Sequence, residues 1–316
     1  MKNHQQWLQQ LQSDGVNLDM TELLRYRQLT QLINLKPGKQ LHAAMSGMYL
    51  SKHKGRGMEF DEARHYQPGD DIRAIDWRVT ARTGKTHTKI YREERERPVF
   101  VLCDLSRPMR FGTQLLLKSV QAAHLTSLIS WAAVQRGDKT GALIFSDTLH
   151  RECKPQSRKQ SVLSICHQLI QISQTQSSAT PSAQAFEDSC ARARRLARPG
   201  SLVYVISDFS QLSATACQHL TTLSRHCEVK ALMITDPLEQ ALPDVPNQRR
   251  VQVTDGIHRQ SWLLGSQQQQ MQYQHFREQQ SQHIKNALQL AGISLQLISA
   301  GQALDEQLNS QGFRSQ

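Results

Sequence analysis

The chain has 316 residues, of which 38% are hydrophobic and 21% charged, with a formal net charge of +11. That length holds one large domain or two ordinary ones, and the composition excludes a disordered chain. No stretch approaches the roughly 18 apolar residues of a membrane span, and Met1-Lys2-Asn3-His4-Gln5-Gln6-Trp7 lacks the apolar run of a signal peptide. A cytoplasmic protein is therefore expected, meeting a membrane only through partners.

The six cysteines are scattered, without a Cys-x-x-Cys pair, and several fall in apolar runs, as buried free thiols do. A basic balance suits nucleic acid, an anionic membrane surface or an acidic protein partner. The richest segment, Lys52 to Arg97, interleaves acids with its bases, which argues against a nucleic-acid surface.

In chain order, Leu8, Leu11, Leu23, Leu24, Leu29, Leu32, Ile33 and Leu35 recur at helical spacing, and Lys36-Pro37-Gly38 ends the pattern. Residues 39–97 are charged and broken by turn signals. Pro68-Gly69 predicts a turn, with short strands at 57–60 and 87–91. From Pro98 the texture changes. Val99-Phe100-Val101-Leu102-Cys103-Asp104 reads as a strand buried on both faces. A helix is predicted over 115–135, a strand over 141–146, helices over 158–172 and 182–197, and a strand over 201–208. A helix over 214–225, strands over 229–235 and 293–298 and a short helix over 302–308 complete the alternation. That rhythm predicts an α/β fold with a doubly wound, mostly parallel sheet. Residues 241–292 interrupt it with a hairpin (250–253 and 259–264) and a glutamine-rich helix holding Met271, Tyr273 and Phe276. The division expected is an N-terminal helical and β-rich extension, 1–97, and an α/β domain, 98–316, with an insertion at about 241–292.

In parallel α/β sheets, ligands bind outside the carboxyl ends of the strands, where three predicted strands end in Asp104, Asp208 and Asp236. Asp104 and Ser106 on one tight loop, with Asp208, could hold a hard cation such as Mg²⁺. The same residue types also cap helices.

Asp104-Leu105-Ser106 after a buried strand, with Ile206-Ser207-Asp208 later, resembles the metal-ion-dependent adhesion site of von Willebrand factor A domains. That resemblance implies metal ligands at Asp104, Ser106, Thr180 and Asp208 and a bound Mg²⁺ or Mn²⁺. Pro108 stands where the pattern has a second serine, which removes one direct ligand. The block from Gly55 to Trp77, with Thr80-Ala81-Arg82, Glu93-Glu94 and Asp236-Pro237-Leu238-Glu239, resembles the bacterial proteins grouped as domain of unknown function 58. That family implies a von Willebrand factor A-like fold. It also implies partnership with MoxR-type AAA+ ATPases and other von Willebrand factor A proteins, in chaperone-like assembly or metal-insertion support.

The alternating Arg64, Arg73, Arg78, Arg82 and Asp61, Asp70, Asp71, Asp76 read as an ion-pair network. A docking surface of Arg73, Asp76, Trp77 and Arg82, anchored on the tryptophan, is the sharper reading. Thr83-Gly84-Lys85-Thr86 has the tail of a phosphate loop, but Val79 stands where its first glycine belongs. No Gly-x-Ser-x-Gly elbow or His-Glu-x-x-His helix is present. The function expected is a non-enzymatic protein-interaction module that acts with a MoxR-type ATPase through the degenerate metal-ion-dependent adhesion site around Asp104, Ser106, Thr180 and Asp208. Its rival is a metal-dependent hydrolase using Asp104 and Asp208.

Overall fold

A computed structural model describes residues 4–35, 58–93, 97–175, 183–243, 245, 249–254 and 259–310. The chain forms two compact units, Ser46–Glu96 and the remainder, Met1–Met45 with Arg97–Gln316.

The larger unit opens with helices α1 (His4–Leu11) and α2 (Met20–Arg25). Asp19 caps α2 by accepting the Thr21 amide, while Glu22 reaches back to the Asp19 amide at 2.9 Å. Two 3-10 turns, Tyr26–Gln28 and Thr30–Leu32, follow. The smaller unit is an antiparallel hairpin, β1 (Met58–His65) and β2 (His87–Glu93), enclosing helix α3 (Trp77–Thr83). Its Pro68-Gly69 turn forms as predicted. Gly69 takes φ 106, the Asp70 amide donates to Gln67 O, and Arg64 holds Asp70 at 2.7 Å. Of the expected ion-pair network the Arg64–Asp70 pair forms, whereas Asp71 and Asp76 serve as caps and the Asp61 side chain lies outside what is described. Asp71 accepts the Arg73 amide, and Asp76 accepts those of Arg78 and Val79. Gly84, in the supposed phosphate-loop tail, is the left-handed residue that ends α3.

The larger unit continues through β3 (Val99–Asp104), α4 (Lys118–Gln135), β4 (Thr140–Phe145), β5 (His150–Gln156), α5 (Lys159–Gln174), α6 (Ala183–Leu196), β6 (Leu202–Ser207), α7 (Ala214–Ser224) and β7 (Glu228–Thr235). The turn α8 (Pro237–Gln240), the hairpin β8 (Arg249–Thr254) and β9 (Arg259–Leu264), α9 (Gln267–Leu290), β10 (Ser294–Ser299) and α10 (Leu304–Ser310) complete it. The sheet order is β10-β7-β6-β3-β4-β5, parallel except for the edge strand β5. Strands alternate their side chains between two cores. Val99, Val101 and Cys103 join the core that holds α4, α5 and the N-terminal helices, while Phe100 and Leu102 join the one under α6, α7 and α9.

Helix α4 is buried along nearly its whole length, because the N-terminal segment covers the side that the sheet leaves open. Leu23 and Tyr26 are fully buried there, Ser127 donates to Leu23 O, and His124 Nε2 lies 3.5 Å from Glu22 Oε2. Residues 4–35, grouped with 1–97 on sequence, thus pack as part of the α/β unit.

The chain runs β3, β4, β5 toward one edge, then crosses β3 to build β6, β7 and β10 toward the other. The reversal falls between β3 and β6, so the loops after these two strands open onto one crevice. Asp104 and Asp208 are on those loops.

Candidate functional site

Asp104 ends β3 with only 3% of its surface exposed, and both carboxylate oxygens are engaged. Oδ1 accepts the Ser106 amide at 2.8 Å, and Oδ2 accepts the Ser207 hydroxyl at 2.6 Å. Burial, together with the charge of Asp208, pushes the Asp104 carboxyl up to about 6, against the lowering by Ser106 and Ser207. Across the crevice, Asp208 Oδ1 accepts both the amide and the hydroxyl of Ser210, at 2.9 and 2.7 Å. Between them Phe209 takes φ 55, uncommon for a bulky residue, with its ring buried against Phe186.

The second oxygen of Asp208 belongs to a residue the sequence analysis passed over. Lys118 Nζ lies 2.8 Å from Asp208 Oδ2 and 2.7 Å from Glu239 Oε1, with 1% of the lysine exposed. Burial lowers the pKa of this amine, but Asp208 and Glu239 outweigh it and hold the value above that of a free lysine. The Phe111 ring stands 5.9 Å from the ammonium.

Glu239 is placed by the turn after β7. Asp236 caps α8 by accepting the Leu238 amide, Pro237 opens the turn, and Glu239 Oε2 accepts the Asp236 amide at 3.2 Å. One oxygen of Glu239 thus closes a capping box and leaves the other for Lys118. Asp236, fully buried, also accepts the amide and hydroxyl of Thr113, at 2.8 and 2.6 Å. That ties down the loop that leads into Lys118. The insertion helix α9 seals this turn. Tyr273 donates to Leu238 O and Glu239 O at 3.2 Å, and Arg277 Nε donates to Glu239 O at 2.7 Å. Arg277, Gln280, Ser281 and Ile284 line a small cleft with Asp208, Ser210 and Glu239.

Of the expected metal ligands, the structure gathers Asp104, Ser106 and Asp208 at the crevice, whereas Thr180 lies outside the described residues. Among the described residues no three His, Cys, Asp or Glu side chains group as a metal site. The donor set does not fit Mg²⁺ or Mn²⁺. Such ions take several oxygens with free lone pairs, whereas here Pro108 offers no hydroxyl and Lys118 already stands on Asp208. Nor are the two carboxylates posed as a hydrolytic pair. The raised pKa of Asp104 would suit a general base, but its oxygens hold the loop together and face away from solvent.

The second group of site residues lies in the smaller unit. Asp76 is buried as the cap of α3, and Trp77 opens the helix 68% exposed. Ile72 is 66% exposed, and Arg73, Arg78 and Arg82 are also exposed. The six cysteines are free thiols. Burial raises them all, Cys103 to about 12 and Cys166 and Cys227 to about 11, so none is set up as a nucleophile at neutral pH.

A doubly wound sheet with one antiparallel edge, an Asp-x-Ser loop after its first parallel strand and an aspartate across the switch point define a von Willebrand factor A-like domain. The sequence profile of the family described as "Protein of unknown function DUF58" matches residues 62–285, and the chain belongs to that family. The uncharacterized proteins Rv1480 of Mycobacterium tuberculosis (strain H37Rv) and Mb1516 of Mycobacterium bovis are each 28% identical to it over 220 residues. Those residues are 67% of this chain, and the chain spans 66% of the length of these relatives.

Among solved structures, BatB from Bacteroides thetaiotaomicron is 15% identical, with a TM-score of 0.40 over 68% of this chain and 98% of its own. An aerotolerance-related membrane protein from Bacteroides fragilis is 16% identical (TM-score 0.39; 68% and 97% covered), and the SpRpn10 VWA domain 11% identical (0.37; 70% and 98%). Among the described residues no helix is long and apolar enough to cross a membrane.

Proposed function

We propose that the chain is a non-enzymatic protein-interaction module that acts with a MoxR-type AAA+ ATPase in assembly or maturation of protein complexes. The strand-end face, a degenerate metal-ion-dependent adhesion site, shapes the larger unit, and the smaller unit carries the partner contact. The observation that supports this reading is that Ile72, Arg73, Trp77, Arg78 and Arg82 are all exposed within one short stretch of the smaller unit. Tryptophan and arginine are the residues most often found as interface anchors, and a solvent-facing tryptophan contributes little to its own fold. The arginines favour an acidic partner surface. Asp76 acts indirectly, as the cap that fixes the first turn of α3 and hence the direction of Trp77.

The test is capture of the purified MoxR-type ATPase of the same organism by the full chain. Trp77→Ala and Arg82→Glu should each weaken capture at least tenfold while thermal midpoints stay unchanged. Equal capture by both variants would remove this surface from the interaction.

A further inference from the structure

The strand-end crevice holds an ammonium group on Asp208, one of the carboxylates that a divalent cation would otherwise engage. We propose that Lys118 is the resident cation of this site, built into the chain, and that the strand-end face is metal-independent.

Three observations carry the inference. Lys118 bridges two loops, meeting Asp208 after β6 and Glu239 after β7 within 2.8 Å, and is almost wholly removed from solvent. A cation shared between carboxylates of separate strand-end loops does what a metal does there, which is to hold the loops in one arrangement. The second observation is its place in the helix. Lys118 is the first residue of α4, where the helix dipole disfavours a positive charge and burial disfavours it further. The two carboxylates, with the Phe111 ring at 5.9 Å, account for it. The third is charge pairing. Arg277 Nη2 stands 3.9 Å from Glu239, so Lys118 and Arg277 together match the charges of Asp208 and Glu239, while Asp104 is held by the Ser106 amide and the Ser207 hydroxyl. A divalent ion entering beside Asp208 would meet the ammonium at close range, without the hydroxyl that Pro108 replaces.

One consequence concerns partners. The ammonium is enclosed and doubly paired, so a partner carboxylate cannot complete its shell as it would that of an open metal. The inference is independent of the proposed partner, because it concerns only what fills this crevice.

The test is Mn²⁺ titration of the full chain by calorimetry, together with thermal midpoints in EDTA and in millimolar Mn²⁺. The wild type should show no saturable Mn²⁺ binding and the same midpoint in both conditions. Lys118→Ala should unfold roughly 5–10 °C lower in EDTA and recover much of that loss with Mn²⁺. Adding Pro108→Ser to Lys118→Ala should tighten Mn²⁺ binding further. Should Lys118→Ala not fold, Lys118→Gln, which keeps length and a donor, carries the same expectation. The proposal is overturned if the wild type takes up one equivalent of Mn²⁺ that Asp208→Asn abolishes, or if the folded lysine variants neither lose stability nor respond to Mn²⁺.

Discussion

Lys118 and Asp208, ninety residues apart in sequence, meet at 2.8 Å in a place from which solvent is excluded. Glu239 completes the bridge, so the first helix of the α/β unit is tied to the loops after both β6 and β7.

Buried ion pairs are asymmetric in their energetics: losing one partner is costly, while losing all partners together can be nearly neutral. Lys118→Met alone should therefore destabilise the protein by about 3–5 kcal/mol. Combining it with Asp208→Asn and Glu239→Gln should restore most of that loss. Urea unfolding of the wild type, Lys118→Met, the Asp208→Asn/Glu239→Gln double variant and the triple variant checks this, and additive losses would contradict it.

Asp104 supplies a pH signature. Its carboxyl is pushed up to about 6 in the folded protein, by burial first and then by Asp208, against about 3.9 unfolded. The folded state thus binds the proton more tightly. Its contribution to stability is full below about pH 4 and is lost as pH rises through about 6. At about 1.36 kcal/mol per pKa unit, the loss is on the order of 3 kcal/mol. Asp104→Asn should be more stable than wild type at pH 8 and lose that advantage near pH 4.5. Urea midpoints in EDTA across this range measure it, and a pH-independent difference would refute the assignment.

Gly15 takes φ 79, and a Cβ there would stand 2.5 Å from Leu115 O, while its own carbonyl accepts the Leu117 amide. It therefore braces the backbone just ahead of Lys118. Gly15→Ala meets both strain and a backbone clash and should cost about 2–3 kcal/mol. A thermal midpoint within 1 °C or so of wild type would show that the loop yields freely.

Thiol reactivity should follow burial. Cys153 and Cys217, which are half-buried, should react slowly with a disulfide reagent at neutral pH, and Cys103, Cys166, Cys190 and Cys227 only after unfolding. Stopped-flow labelling followed by peptide mapping distinguishes the two groups. Fast modification of any of those four would show that the core opens locally.

The central strands were legible because β3, β6 and β7 are nearly unbroken apolar runs, the signature of a sheet covered on both faces. The edge strand β5 was not. His150 to Gln156 is polar, largely exposed and contains Pro155, which only an edge tolerates. Gly141 lets it approach, since a Cβ there would stand 2.7 Å from Cys153 O. Helix α3 was hidden in the charged block, where its caps read as ion-pair partners.

At the site, Asp104, Ser106 and Asp208 were readable from strand ends, but the residue that neutralises Asp208 was not. A lysine following Leu115-Leu116-Leu117 and preceding a buried helix was a signal, because a lone charge in an apolar run needs a partner. Asp236-Pro237-Leu238-Glu239 was another, since its spacing is that of a capping box. Which carboxylate meets which amine is set by the sheet order, and no local pattern carries that information.

The claim that the smaller unit makes the partner contact is tested most directly by a binding isotherm of the full chain with the MoxR-type ATPase. Wild type, Trp77→Ala and Lys118→Met combined with Asp208→Asn and Glu239→Gln should be compared. The account predicts that Trp77→Ala weakens binding at least tenfold, while the triple variant, with its strand-end charges removed, binds as wild type does. Loss of binding in the triple variant, with Trp77→Ala unaffected, would place the contact on the strand-end face and contradict the account.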